Sequence, residues 1–242
     1  MPRHLVLDCD PGCDDALAIF MALDAKVYSR VDVLTVAGNV GVEQTTANAV
    51  RILYLASECL KSKPTMHVYK GCQMSLDGVR PSAASVHGRD GLGDVPFNVF
   101  AQNIDRVTFG EFRAECLEAS HLQKKAKISA AHRYLELLHD VSPVDTKRDL
   151  VCIGPLTNIA SALLQLGPEE QRKFWTIWER VVIMGGALGV QGNISHSAEF
   201  NCHADPLAMK IVLDSIPKSK PEDSKVPIFV TLDCTEKVSL LW

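Results

Sequence analysis

The apolar and polar positions alternate between two kinds of segment. Leu5-Val6-Leu7 is a short apolar run that stops on acids, and Leu5–Asp10 reads as a buried strand. From Asp14 to about Leu23 the apolar residues Ala16, Leu17, Ile19 and Phe20 fall on one side of a helix. Val31–Ala37 is a second β-branched run, ended by Gly38-Asn39. A helix over about Glu43–Ser57 and a short strand at Met66–Tyr69 follow. This β-α-β-α-β beginning predicts a parallel sheet covered by helices on both faces.

The pattern then lapses. Residues 71–98 are rich in Gly, Ser, Pro and Asp, and a loop of that length inside a domain is usually functional or disordered. Residues 99–127 are charged and poorly periodic, as in a surface insertion or connector. Order returns with a helix at about Ile128–His139 and a strand at Asp149–Ile153. Gly154-Pro155-Leu156-Thr157-Asn158 then opens a helix running to about Leu166. Val181–Met184 is a strand closed by Gly185-Gly186, and residues 189–201 form a Gly- and Asn-rich loop. Asp205-Pro206 marks a helix start, with the acid as N-cap and proline in the first turn. Val226–Leu232 is the final strand. Acids and glycines thus fall just past several strands, at the sheet edge where open α/β folds bind ligands.

Composition narrows the function classes. The 242 residues suit a single α/β domain over 1–242, of the mostly parallel, Rossmann-like kind. The net charge of −4 and the lack of a basic run argue against nucleic acid and anionic membranes as partners. No stretch approaches a membrane span, and the N-terminus lacks a signal-peptide core, so a cytoplasmic location is expected. The 8 cysteines are scattered without a CxxC pair, which favours reduced, packed thiols.

The chemistry concentrates in Asp8-Cys9-Asp10-Pro11-Gly12-Cys13-Asp14-Asp15. Four acids at a buried strand end repel one another and resist desolvation. A divalent cation would relieve both penalties, and an all-oxygen donor set favours Ca²⁺ or Mg²⁺ over zinc. Asp8 and Asp10 share a face of the strand, while Asp14 and Asp15 start a helix whose dipole stabilises negative charge. An EF-hand fits poorly, because its twelfth position counted from Asp8 is Ile19. A haloacid-dehalogenase-type phosphatase also begins with Asp-x-Asp. It wants Thr or Val where Gly12 stands, and it leaves Asp14-Asp15 unexplained.

The cluster closely resembles the signature of the inosine–uridine-preferring nucleoside hydrolases. The likeness continues in order through Gly38-Asn39, His87-Gly88, Gly154–Ala160, Met184-Gly185-Gly186, Gly192-Asn193, Ala198–Asn201, Asp205-Pro206 and Leu232–Thr235. The resemblance implies Ca²⁺-dependent hydrolysis of ribonucleosides to ribose and free base. It implies Asp10 and Asp15 as metal ligands with the Ile153 carbonyl, and Asp10 as general base. It places Asp14, Asn39, Met184, Asn193, Glu199 and Asn201 at the ribose, with His87 as a further substrate-side candidate. Asp8 would support the ligands from behind. Asn158 suits a helix-start contact as well as a ligand, and helix-entry packing is expected of His196 and His203. Family habit implies a homo-oligomer.

The family also carries a later His-Asp-Pro motif, whose aspartate completes the metal site and whose histidine serves the leaving base. His203-Ala204-Asp205-Pro206 stands at a different point in the order, and the chain reaches Trp242 without the motif. The resemblance therefore implies a C-terminally incomplete member, or alternatively a weak or inactive ribose-binding relative. An uncovered apolar surface and poor solubility would follow.

Overall fold

A computed structural model describes residues 3–60, 64–95, 129–140, 147–218 and 226–238. The elements run β1 (Arg3–Cys9), α1 (Cys13–Asp24), β2 (Tyr28–Thr35), α2 (Val42–Cys59), β3 (Thr65–Lys70) and α3 (Ala84–His87). They continue with α4 (Ala130–His139), β4 (Lys147–Cys152), α5 (Thr157–Leu163), α6 (Pro168–Thr176) and β5 (Arg180–Met184). The series ends with α7 (Phe200–Ala204), α8 (Pro206–Ser215), β6 (Ile228–Val230) and α9 (Leu232–Thr235).

The six strands among the described residues form one sheet in the order β3-β2-β1-β4-β5-β6, and every pairing between them is parallel. The α/β expectation holds. Strand order reverses between β1 and β4, which creates a crevice at their carboxyl ends. Alternate residues of β1 feed opposite cores, because side chains in a strand point to alternate faces. Val6 packs with Tyr134, Ile159, Phe174, Trp175 and Trp178 on one face. Leu5, Leu7 and Cys9 pack with Ile19, Ala49 and Ile52 of α1 and α2 on the other. Tyr134 meets Phe174 edge-on at 5.7 Å, and such aromatic pairs add about 0.5–1.5 kcal/mol beyond burial.

The differences from the sequence reading have local causes. The Val31–Ala37 run marks burial, but the ladder covers Tyr28–Thr35. Val36 and Ala37 leave it to donate to Cys9 and Cys72 carbonyls. The long loop contains the single turn α3. The helix expected to reach Leu166 ends at Leu163. A second helix, α6, then starts at Pro168 with Glu169 and Glu170 in its first turn. The last strand, expected over Val226–Leu232, covers only Ile228–Val230, and Leu232 opens α9 while its N–H still donates to the Gly186 carbonyl beyond β5 at 2.8 Å. The helix placed at Ile128–His139 begins at Ala130, capped by the Ser129 hydroxyl. The connector at 99–127 lies outside the described residues. No disulfide occurs among the described cysteines, and no described helix is long and apolar enough to cross a membrane.

Candidate active site

The acidic turn sits between β1 and α1, at the strand-order reversal. Asp8, Asp10 and Asp15 are buried, whereas the Asp14 side chain is 64% exposed. A helix advances about 100° per residue, so the adjacent acids Asp14 and Asp15 part company. Asp15 turns inward, and its Oδ2 accepts from the N–H of Gly12 at 2.9 Å.

Asn39, just beyond β2, ties the two inner carboxylates together. Its backbone N–H donates to Asp10 Oδ2 at 2.7 Å. Its side-chain amide donates to the Asp10 carbonyl at 3.0 Å and to Asp15 Oδ2 at 3.2 Å. Asp10 is hemmed in from two sides. A side chain at Gly38 would overlap Asp10 Oδ2, and a Cβ at Gly154 would lie 2.5 Å from Oδ1. Both glycines are needed for this close approach.

The charges are poorly compensated. Burial, and then the neighbouring Asp15 charge, pushes the Asp10 carboxyl well above the ordinary carboxylate range. Burial, and then Asp14, pushes Asp15 up to about 7. Asp15 Oδ1 is buried without a hydrogen-bond partner among the described residues. An unpartnered carboxylate oxygen beside a second buried carboxylate is costly, and it fits a hard cation. No three His, Cys, Asp or Glu side chains among the described residues form a ligand cluster. Asp10 and Asp15 would supply two donors, and the Ile153 carbonyl a backbone third.

The other sequence-selected residues join this centre through hydrogen bonds. The Asn201 amide donates to the carbonyls of Ile153 at 3.0 Å and Met184 at 3.4 Å. Glu199 caps α7, accepting from the N–H groups of Asn201 and Cys202, and it also accepts from Gly186 at 2.9 Å. The Cys202 thiol also contacts the Glu199 carboxylate, and burial, together with the Glu199 charge and hydrogen bond, pushes that thiol up to about 12. Asn193 Oδ1 accepts from the Phe200 N–H at 2.9 Å. His87 reaches the first turn of α1, where its Nδ1 accepts from Cys13 N–H at 3.4 Å and lies 3.8 Å from Asp14 Oδ1.

Asp8 takes a different position. Its carboxylate accepts from the Tyr134 hydroxyl at 2.7 Å and the Asn158 amide at 3.0 Å, while its backbone carbonyl receives Ile153 N–H. Burial still raises its pKa to about 7 against those two hydrogen bonds. Asn158 also donates to the Thr35 carbonyl and accepts from Cys72 N–H, so it is a buried structural tie. His203 is exposed. Sequence reading missed Tyr134 and Asn48, whose signals there are those of ordinary helix residues.

The family model for the inosine-uridine preferring nucleoside hydrolase matches residues 5–242. The chain belongs to that family. It is 33% identical over 214 residues to the probable uridine nucleosidase 2 of Oryza sativa subsp. japonica, covering 88% of this chain and 54% of that protein. The pyrimidine-specific ribonucleoside hydrolase RihB of Escherichia coli O17:K52:H18 is 32% identical, with 88% of this chain and 56% of that protein covered. Among solved structures, the plant nucleoside hydrolase PpNRh1 superposes with a TM-score of 0.72 at 28% identity, covering 98% of this chain and 62% of that one. An inosine-guanosine nucleoside hydrolase superposes with a TM-score of 0.68 at 29% identity, over 98% and 62% of the two chains. This nucleoside hydrolase relative spans about half the length of the curated proteins it matches.

Proposed function

We propose that this protein hydrolyses the N-glycosidic bond of ribonucleosides, releasing ribose and a free base. The observation that carries the reading is the Asp10–Asp15 pair, two buried carboxylates joined through Asn39, with Asp15 Oδ1 unpartnered among the described residues. Family membership and the arrangement of amide and carboxylate groups around the pair support it.

Cleavage of such a bond develops positive charge on the ribose. Fixed carboxylates next to the sugar stabilise that charge as it forms. Asp14, Asn39, Asn193, Glu199 and Asn201 would hold the ribose hydroxyls, with Met184 against the sugar, and so turn a chance encounter into a fixed orientation. Asp10 is the proposed general base, since a carboxyl raised by burial takes a proton more readily than an exposed one.

Asp10, Asp15 and the Ile153 carbonyl would hold a Ca²⁺ ion, with Asp8 steadying the strand end behind them. Bound there, the cation would offset the buried charges and acidify water. A homo-oligomeric enzyme, as the resemblance implies, acting on free nucleosides in the cytoplasm completes the proposal. The relatives' names span both base classes, so the test uses one substrate of each. The purified chain is given inosine and uridine, with Ca²⁺ and after chelation, beside Asp10→Asn. Free ribose that needs Ca²⁺ and vanishes in the variant is the expected result. A folded sample that releases none from either nucleoside overturns the reading.

A further inference from the structure

Asn48 lies in the interior of α2, on the face that also buries Ala49, Ile52 and Ala56. Its side chain is fully buried. Asparagine is a poor choice for a helix interior, and a buried amide is costly unless its groups are paired. Here they are paired across the molecule. Nδ2 donates to the Pro11 carbonyl at 3.1 Å and to the Asp90 carbonyl at 2.7 Å. Oδ1 accepts from Gln44 Nε2 at 2.9 Å and from the Arg51 guanidinium at 3.4 Å.

The two carbonyls belong to different functional segments. Pro11 follows Asp10 in the acidic turn, and Asp90 follows His87 in the long loop. The loop is built for this approach. Gly91 has φ +82°, and a Cβ there would come within 2.9 Å of Asn48 Nδ2. Cys13 Sγ donates to the Gly91 carbonyl at 3.8 Å, and the His87 carbonyl accepts from Gly93 N–H at 2.7 Å. The His87 ring in turn receives Cys13 N–H. By contrast, Asp10 and Asp15 have their own supports in Asn39 and Gly12, which do not pass through Asn48.

We propose that Asn48 is a positioning residue: its amide latches loop 88–94 onto the acidic turn and thereby fixes His87 over the start of α1, without touching substrate. The kinetic part of this proposal rests on the hydrolase reading; the latch itself does not.

The test combines Asn48→Asp, Gly91→Ala and His87→Ala in the full chain. Asn48→Asp keeps the size but places a carboxylate, which cannot donate, against two carbonyls. It should weaken kcat/KM by about 10–100-fold, the usual cost of losing a group that orients a functional side chain. Most of the loss should appear in KM. Gly91→Ala should reproduce it from the loop side, where the fold is not at risk. In a His87→Ala background, Asn48→Asp should cost less than about twofold, because residues acting through one another are not additive. Equal losses in both backgrounds would overturn the proposal. Hydrogen exchange supplies a readout without turnover: the amides of residues 88–94 should exchange faster in Asn48→Asp, with those of β1 unchanged. If the wild-type chain releases no ribose but its loop loosens on substitution, the hydrolase reading alone fails. If the loop's exchange is unaltered, the latch is wrong whatever the activity.

Discussion

The sheet buries acids in two places and treats them in opposite ways. At mid-strand in β2, Asp32 accepts from Arg30 Nε at 2.8 Å, Arg133 Nε at 2.9 Å and His67 Nδ1 at 3.1 Å, while His4 Nε2 lies 3.1 Å away as an ion-pair contact without hydrogen-bond geometry. Burial pushes its carboxyl upward, but the polar contacts with His4, His67 and Arg30 override this and hold it far below the usual range. Asp149 is similar: burial raises it, and Arg180 and Arg3 together bring it down. At the carboxyl ends, Asp8, Asp10 and Asp15 are equally buried and have no cationic side chain bonded to them among the described residues, and burial raises all three. Compensated acids tie strands together. On the proposed reading, the uncompensated Asp10 and Asp15 remain where a bound cation would supply the missing charge.

The largest effect that would break this contrast comes from Asp10→Asn. Ribose release should fall by about 10²–10⁴-fold, the usual contribution of a general base, while the denaturation midpoint holds or rises. A variant that lost stability instead would place Asp10 with the structural acids. Asp32→Ala should do the reverse. It removes the Nε partner of the buried Arg133, leaving Glu136 on Nη1, and should cost about 3–5 kcal/mol in urea unfolding, with turnover per folded molecule unchanged.

A pH series sharpens the comparison further. With chelator present, folded Asp8 and Asp15 bind more protons than the unfolded chain between the ordinary value of 3.8 and about 7. Their contribution to stability should therefore fall as pH rises through that window. Asp32 and Asp149 act with the opposite sign, and their stabilisation is lost only as pH drops below the unfolded carboxylate range. Asp15→Asn should shallow the neutral-side decline, and added Ca²⁺ should oppose it. A decline that persists unaltered in both would show that other groups cause it. The smallest effect belongs to Arg180→Ala, at roughly 1 kcal/mol or less. That side chain is 56% exposed, and Arg3 still holds Asp149 at 2.7 Å.

Much of the architecture is legible in local patterns. The unbroken run Leu5–Leu7 announces a strand buried on both faces, and Asp205-Pro206 announces the α8 start that the Asp205 carboxylate caps at Ala208 N–H. The start of α6 is not read from the sequence although Gly167-Pro168-Glu169-Glu170 carries a start signal, because its Phe174 and Trp175, with Trp178 just beyond, show no period that separates a short helix from a buried loop. The end of β6 was not readable, because Thr231 and Leu232 continue the β-branched and apolar texture while the chain already turns.

The sequence by itself determined the parallel α/β class, the clustering of the acids and the family, since these rest on residue order and on side-chain periods of 2 and 3.6. Only the tertiary structure decided which acids are compensated. Asp14 and Asp15 are adjacent, and helix geometry exposes one and buries the other. Asp8 meets Tyr134 and Asn158 across separations of 126 and 150 residues. Asn48 joins Pro11 to Asp90 in the same long-range manner. A periodicity reports which face a side chain occupies. It does not name the distant partner that satisfies a buried polar group, because that partner is set by how the sheet and its helices bring remote segments together.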